Sequence, residues 1–449
     1  MKATQVRMTE GSIPDKIIRF AVPLFLGNLF QQLYNTADAL IVGNLLGDRS
    51  LAAVTSTGTL VFLLVGFFTG IFMGAGVVIS RYFGSRETEK MRKAVHNAIL
   101  FALISGGALT LIGTTLTPII LGWMGTPAEV MPQSVTYIRI YFAGSLGLSL
   151  YNSCMGIMQA VGDSRHPLYY LIISSVTNVC LDLLFIGVFR MGVDGAALAT
   201  ILAQFLSAAL CLVRMSRDTG EMTRLQWRLL RWDKYMMGRI FRQGLPTGVQ
   251  NAVISLGNVV IQSNINSFGS YAMSGLGAYS KIEGFAFLSV TAMSMTLPTF
   301  VSQNLGAGNI SRAKKGAVFG CLTGMAAAEL TGIVMFVFIP QLLTLFIDTP
   351  EAIAYGTLHA RIDTLFYCML ALAHCSAGVL RGCGKPTVPM VIMLGCWCVL
   401  RSVYVTLILK VIHQFRMICW AYPLTWTVSC VFFVFYLSRL DWNKSAEAI

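Results

Sequence analysis

Twelve apolar runs, each long enough to cross a bilayer as a helix, recur along the whole of this 449-residue chain. A helix needs about 20 apolar residues to span the hydrocarbon core of a membrane. Here 55% of the residues are hydrophobic and only 12% are charged. Because a helix satisfies its own backbone hydrogen bonds inside lipid, the pattern predicts an all-α integral membrane protein. The runs are 14–40, 51–80, 94–118, 133–158, 167–189, 193–213, 240–265, 272–301, 316–339, 353–380, 387–410 and 416–438.

The net charge of +13 is unevenly distributed between the loops that join these runs. Most of the Lys and Arg residues fall in alternate loops, such as "SRYFGSRETEKMRK" and the long loop around 214–238. The loops at 118–132 and 340–352 carry acids and no base. Since basic loops stay in the cytoplasm, the sequence predicts an inner-membrane, multi-pass protein with both termini cytoplasmic. We expect the basic loops to contact anionic lipid and not nucleic acid.

The two halves of the chain resemble each other at an offset of 222 or 223 residues. "IIRFAVPLFLGNLFQQLYN" aligns with "IFRQGLPTGVQNAVISLGN", which matches Pro23 with Pro246. "VGDSRHPLYYL" aligns with "CGKPTVPMVIM", which matches Gly162 with Gly384. A repeat of this length indicates two copies of one helical unit.

The repeat predicts two six-helix lobes. We expect an N-lobe at 1–213 with helices one to six, a cytoplasmic basic linker at 214–238, and a C-lobe at 239–449 with helices seven to twelve. Because six is even, both lobes insert the same way round, so a pseudo-twofold axis along the membrane normal relates them. This architecture is typical of transporters.

Polar residues form stripes on several of the apolar helices. The stripe on the first helix ends at Asp38, and the fifth helix places Asn178 and Asp182 four residues apart on one face. Such faces turn toward the bundle interior or a water-filled cavity, because a carboxylate in lipid costs several kcal/mol. The amides and serines could serve only to join helices. The first stripe contains Asn28, Gln31, Gln32, Asn35 and Asp38.

The acids of these stripes occur only in the N-terminal half. By the repeat offset, Asp38 corresponds to Val260 or Ile261, and Asp182 corresponds to Tyr404. Acids that the fold itself required would be expected in both halves. Their restriction to one half favours a functional site, and carboxylates that share a poorly solvated site would be stabilised by binding H⁺ or Na⁺.

Over its whole length the chain resembles the multidrug and toxic compound extrusion (MATE) family, and within it the DinF-like branch. The resemblance rests on the stretch from Pro23 to Gly47, on "SRYFGS" and on "SAGVLRGCGKPTVP". It implies an H⁺ or Na⁺ coupling site in the N-lobe formed by Asp38, Asn178, Asp182 and Thr200. It also implies a substrate cavity, for which the candidates are Gln31, Tyr34, Asn35, Tyr137, Asn152 and Glu283. The related NorM-like branch keeps an acid in helix ten where this chain has Leu370, which speaks against a C-lobe sodium site of that type.

The resemblance implies a secondary active antiporter and not an enzyme. It would export amphipathic, mostly cationic organic compounds in exchange for H⁺ or Na⁺ by alternating access. Helix one would bend at Pro23, because a proline inside a helix removes a backbone hydrogen bond. We expect a monomer in the lipid bilayer, with no cofactor beyond the coupling ion.

Three other functions are less compatible with the sequence. A lipid-linked oligosaccharide or lipid flippase of the same superfamily is the nearest alternative, but it needs a cavity rich in Arg and Lys. A membrane-embedded enzyme is disfavoured because motifs such as H-E-x-x-H and G-x-S-x-G are missing. An ATP-driven pump is disfavoured because the phosphate-binding motif G-x-x-x-x-G-K-[ST] is also missing.

Overall fold

The computed structural model describes residues 7–123, 126, 129–217 and 223–447, and this part of the chain is helical with no strand. Short π-helical or 3₁₀ segments interrupt the helices at Leu183–Val188, Trp227–Leu229, Thr364–Phe366 and Leu394–Leu400. The helices are α1 (Ile13–Leu46), α2 (Asp48–Ser85), α3 (Thr88–Trp123), α4 (Met131–Ala143), α5 (Ser145–Ala160), α6 (Arg165–Asp182), α7 (Val193–Arg217), α8 (Lys234–Asn266), α9 (Ser270–Gly306), α10 (Ile310–Leu343), α11 (Pro350–Asp363), α12 (Tyr367–Gly382), α13 (Thr387–Met393), α14 (Arg401–Val411), α15 (Phe415–Ser438) and α16 (Trp442–Glu447).

Each predicted span coincides with one helix or with two consecutive ones. Nine helical stretches in the described residues are long and apolar enough to cross a membrane. The other three predicted spans correspond to α1, to α4 with α5, and to α8. Polar residues lower the mean hydropathy of α1, which carries the stripe that ends at Asp38, and of α8, which contains Asn251, Asn258 and Gln262. The predicted all-α membrane fold is confirmed.

Left-handed backbone conformations repeat between the halves. Six of the residues with a positive φ form three pairs, and the two members of each pair are 222 residues apart. One pair precedes α2 and α9, the second follows α2 and α9, and the third precedes α6 and α13. Only glycine adopts this region without strain, and five of these six positions are glycines. The pairs are Gly47 with Gly269, Arg86 with Gly308, and Gly162 with Gly384. The internal repeat of the sequence is therefore also a repeat of local backbone geometry.

Contacts between residues divide the chain into two units. Unit 1 contains Leu26–Leu245, and unit 2 contains Met8–Phe25 with Pro246–Ile449. Each unit has its own apolar core, which includes Val78, Ala98 and Ile157 in unit 1. The predicted lobe boundaries stay a prediction, and residues 218–222 of the predicted linker lie outside the described residues.

The core of unit 2 includes the start of α1. Ile17 and Phe20 are buried with Leu297 and Phe300 of α9. Helix α1 therefore begins in unit 2 and continues in unit 1 from Leu26 onward, three residues after Pro23.

Candidate functional site

Two carboxyl groups from different helices meet inside unit 1. Asp38 of α1 and Asp182 at the end of α6 lie within hydrogen-bond distance of each other. Asp182 is fully buried. One oxygen of each carboxyl group, Oδ1, is buried and has no hydrogen-bond donor among the described residues. Two ionised carboxylates in such contact repel each other, so the pair requires a proton or another cation between its oxygens.

Asn178 orients Asp182 from one turn earlier on α6. The two ends of an amide are distinguished by their hydrogen bonds. The orientation that satisfies both ends has the nitrogen donating to Asp182 Oδ2 at 3.1 Å and the oxygen accepting from the Thr200 backbone nitrogen at 3.2 Å. Asn178 is 1% exposed. Its carbonyl oxygen is thus already paired with the protein.

Thr200 completes the predicted set from α7. Its hydroxyl donates to the Ala196 carbonyl oxygen at 3.0 Å, so the oxygen keeps a lone pair free to accept. The structure therefore brings Asp38, Asn178, Asp182 and Thr200 together. A π-helical segment begins directly after Asp182, and such segments frequently occur at functional sites.

Aromatic side chains surround the two acids. Tyr34 of α1 and Tyr137 of α4 lie close enough to both carboxyl groups to interact with their charge. Tyr137 stacks on Tyr141 with a centroid distance of 6.3 Å. Tyr141 in turn lies beside Gln204 of α7. Tyr34 and Tyr137 are predicted cavity residues, whereas Tyr141 and Gln204 were not predicted.

A spacing of four residues could have identified both missed side chains. Tyr141 follows Tyr137 by one helical turn, and Gln204 follows Thr200 by one turn, so each lies on the same face as its predicted neighbour.

The remaining predicted cavity residues of unit 1 have no contact with the two acids among the interactions described. Gln31 and Asn35 are exposed on α1. Asn152 of α5 donates to the carbonyl oxygen of Leu148 in its own helix at 2.9 Å. One turn before Asn178 on the same face of α6, the Ser174 hydroxyl donates to the Ala203 carbonyl oxygen at 2.6 Å. This hydrogen bond joins α6 to α7. Ser174 thus has the structural role that the sequence left open for such residues.

Glu283 lies in unit 2 with a second group of buried charges. His359 Nε2 and Asp363 Oδ2 are 3.0 Å apart on α11. Glu283 of α9 is within electrostatic range of Asp363, His359 and Arg401. The guanidinium of Arg401 donates to the Thr425 hydroxyl at 2.9 Å and lies 4.3 Å from the centre of the Tyr422 ring. Because both signs of charge are present, this group can be balanced internally.

Comparison with protein families gives two matches on this chain. The MatE family model matches residues 23–184 and residues 246–407. The second match begins 223 residues after the first, which is the offset of the internal repeat. Together the two matches cover more than half of the chain and include Asp38, Asn178 and Asp182.

Individual relatives cover most of the chain. The probable multidrug resistance protein YpnP of Bacillus subtilis is 29% identical over 402 residues, which are 89% of each chain. The probable multidrug resistance protein NorM of Thermotoga maritima is 25% identical over 85% of this chain and 82% of its own. A solved structure of a MOP superfamily transporter from Pyrococcus furiosus has the same fold, with a TM-score of 0.91 and 19% identity over 100% of this chain and 99% of that one.

Proposed function

Because the chain belongs to the MatE family of multi-pass membrane transporters, we propose that it is a secondary active antiporter that exports organic compounds in exchange for a cation. The observation that carries this proposal is the contact between Asp38 and Asp182. A pair of acids whose Oδ1 atoms have no hydrogen-bond donor among the described residues is costly to maintain in a membrane span, and a cation that binds there and leaves in each cycle would offset that cost. The relatives named as multidrug resistance proteins support the proposal.

We propose H⁺ as the coupling ion. Na⁺ is bound by several oxygen ligands, and one of the two lone pairs of the Asn178 carbonyl oxygen is already occupied by the Thr200 backbone N–H. Two carboxyl groups need only one proton to form a hydrogen bond between them. Asn178 then acts as a positioning residue that holds Asp182 toward Asp38.

The site also favours cationic, amphipathic substrates. Tyr34 and Tyr137 offer aromatic faces close to the two acids, and Tyr141 extends this surface by stacking on Tyr137. Aromatic faces and carboxylates both attract organic cations. A substrate cation and a proton would therefore compete for the same negative charge, which is the basis of an exchange.

Helix α1 is the element that would convert protonation of the acid pair into a movement. Its start is held in unit 2, where the Met8 backbone nitrogen donates to Gln303 at 3.1 Å. Asn304 and Arg312 donate to the Met8 carbonyl oxygen at 3.2 and 3.1 Å. With that end fixed, a bend at Pro23 would move Asp38, which lies fifteen residues further along α1. We propose that protonation favours the bend and thereby expels the substrate.

The test is transport by the purified protein in proteoliposomes with a fluorescent organic cation such as ethidium. Asp38→Asn and Asp182→Asn should each reduce export against a gradient by about tenfold or more, because neither amide can take up and release the proton. Tyr404→Phe, at the repeat counterpart of Asp182, is the matched control and should transport like the unaltered protein. Thermal unfolding should show that all variants fold. Uphill export by Asp38→Asn at the rate of the unaltered protein would refute the proposed site.

A further inference from the structure

A groove of about 730 Å³ lies at one end of unit 2, between helices α10, α11 and α15. Pro340 near the end of α10, Pro350 at the start of α11 and Arg416 at the start of α15 mark its mouth. From there the groove follows α11 as far as Leu365. Fifteen helical residues rise roughly 22 Å, so the groove runs well into the depth of a membrane span.

The walls of the groove are apolar. Ile353, Leu358, Leu365 and Phe366 line it, and Leu365 is 51% exposed. In a membrane-spanning helix such a surface contacts hydrocarbon chains.

Two arginines interrupt this apolar surface. Arg361 and Arg416 both line the groove, and neither forms a salt bridge with a carboxylate among the described residues. The guanidinium of Arg361 lies 5.6 Å from the centre of the Phe336 ring. Phe336 precedes the end of α10 by seven residues, or roughly 10 Å. Since Arg361 follows Pro350 at the mouth by eleven residues, or roughly 16 Å of helix, its side chain has to extend toward the mouth for the guanidinium to meet a lipid headgroup.

Thr357 lies between the mouth and Arg361 on α11. It lines the groove, and its hydroxyl oxygen is buried without a hydrogen-bond partner in the described part of the chain. Most buried polar groups have a partner. Because this hydroxyl oxygen is enclosed by the protein, the two guanidinium groups without a carboxylate partner in that part of the chain are what indicates a ligand with several acceptor oxygens.

We propose that the groove is a binding site for one anionic phospholipid. Its phosphate would accept hydrogen bonds from Arg361 and Arg416, and its acyl chain would lie along the deeper walls at Leu365 and Phe366. Two positive charges without acidic partners favour a headgroup with net negative charge over a zwitterionic one. The long apolar groove favours a lipid over a free phosphate ion, which would gain nothing from those walls. This site lies in unit 2 and does not depend on the proposed transport mechanism.

The experiment is native mass spectrometry of the delipidated protein after addition of phosphatidylglycerol, of phosphatidylcholine with the same acyl chains, or of inorganic phosphate alone. The unaltered protein should retain one phosphatidylglycerol at voltages that remove phosphatidylcholine. Arg361→Gln combined with Arg416→Gln should weaken this retention by about tenfold or more, since each Arg near an anionic headgroup contributes about 1 kcal/mol.

Arg139→Gln is the matched control, because Arg139 is the repeat counterpart of Arg361 in unit 1 and is likewise exposed. It should retain phosphatidylglycerol like the unaltered protein. Equal retention of the two lipids, or an equal loss in Arg139→Gln, would overturn the proposal. Saturation of the site by inorganic phosphate at the same concentration would also overturn it, in favour of a free-anion site. The melting temperature of each variant, measured without lipid, identifies any loss due to misfolding.

Discussion

Helices α9 and α11 pack so closely at Gly275 that a single methyl group should disrupt them. A Cβ atom at Gly275 would lie 2.3 Å from the Ala352 carbonyl oxygen and 2.9 Å from the Gly356 backbone nitrogen. Ordinary contact begins near 3.4 Å. The helices would therefore have to separate by about 1.1 Å, and they cannot avoid this by rotating a side chain, because the opposing atoms are backbone.

The expected cost follows from this geometry. Overpacking in a well-packed core costs about 1–3 kcal/mol, and Gly275→Ala should lie at the upper end because both surfaces are rigid. Gly277→Ala on the same helix meets nothing within 4 Å. Since alanine favours a helix over glycine by about 1 kcal/mol, this control should be neutral or slightly stabilising.

The assay is thermal unfolding of the detergent-solubilised protein with a thiol-reactive fluorescent dye. The dye reports on unfolding because buried free cysteines, which include Cys375 and Cys383 of unit 2, become accessible when the protein opens. Gly275→Ala should unfold several degrees below Gly277→Ala. Equal midpoints for the two variants would refute the close packing of α9 on α11.

Two further predictions concern the backbone and the topology. Gly308 has a φ of +75° with open space around its Cβ position, so Gly308→Ala should cost about 1–2 kcal/mol from backbone strain alone. The same unfolding assay checks this, and a midpoint equal to that of Gly277→Ala would contradict it. Arg228 is exposed in the basic loop, so Arg228→Cys in a cysteine-free background should react with a membrane-impermeant maleimide only after the cells are permeabilised. Labelling in intact cells would show that this loop lies outside the cell and would contradict the predicted orientation.

The spans could be predicted because lipid imposes both length and apolarity on every crossing helix. The interruptions within these spans could not be predicted from the sequence. Hydropathy contains no signal for the break between α4 and α5 at Gly144, or for the π-helical segments at Leu183–Val188 and Leu394–Leu400. These features depend on how a helix packs against its neighbours, which a one-dimensional pattern does not report.

The candidate site was predictable to a similar extent. The spacing of Asn178 and Asp182 placed both on one face of α6, as the structure has them. Their meeting with Asp38 of α1 and Thr200 of α7 was implied only by the family resemblance, because helical periodicity does not say which helices are neighbours. The orientation of the Asn178 amide depends on its hydrogen bonds in three dimensions. That orientation is the observation that favours a proton over sodium.

We propose that the Asp38 and Asp182 pair couples export to proton uptake. Thr200 distinguishes the two ions, because Thr200→Val removes an oxygen that a sodium site would use and a shared proton would not. Among the described residues the hydroxyl donates only within its own helix, to the Ala196 carbonyl oxygen, so the substitution should alter stability by about 1 kcal/mol at most.

The most direct measurement is substrate efflux from proteoliposomes with the proton gradient and the sodium gradient imposed separately, for the unaltered protein and for Thr200→Val. We predict that a pH gradient alone drives export in both proteins at nearly equal rates, and that a sodium gradient at fixed pH drives export in neither. A saturable sodium dependence in the unaltered protein that disappears in Thr200→Val would contradict this account and establish a sodium site.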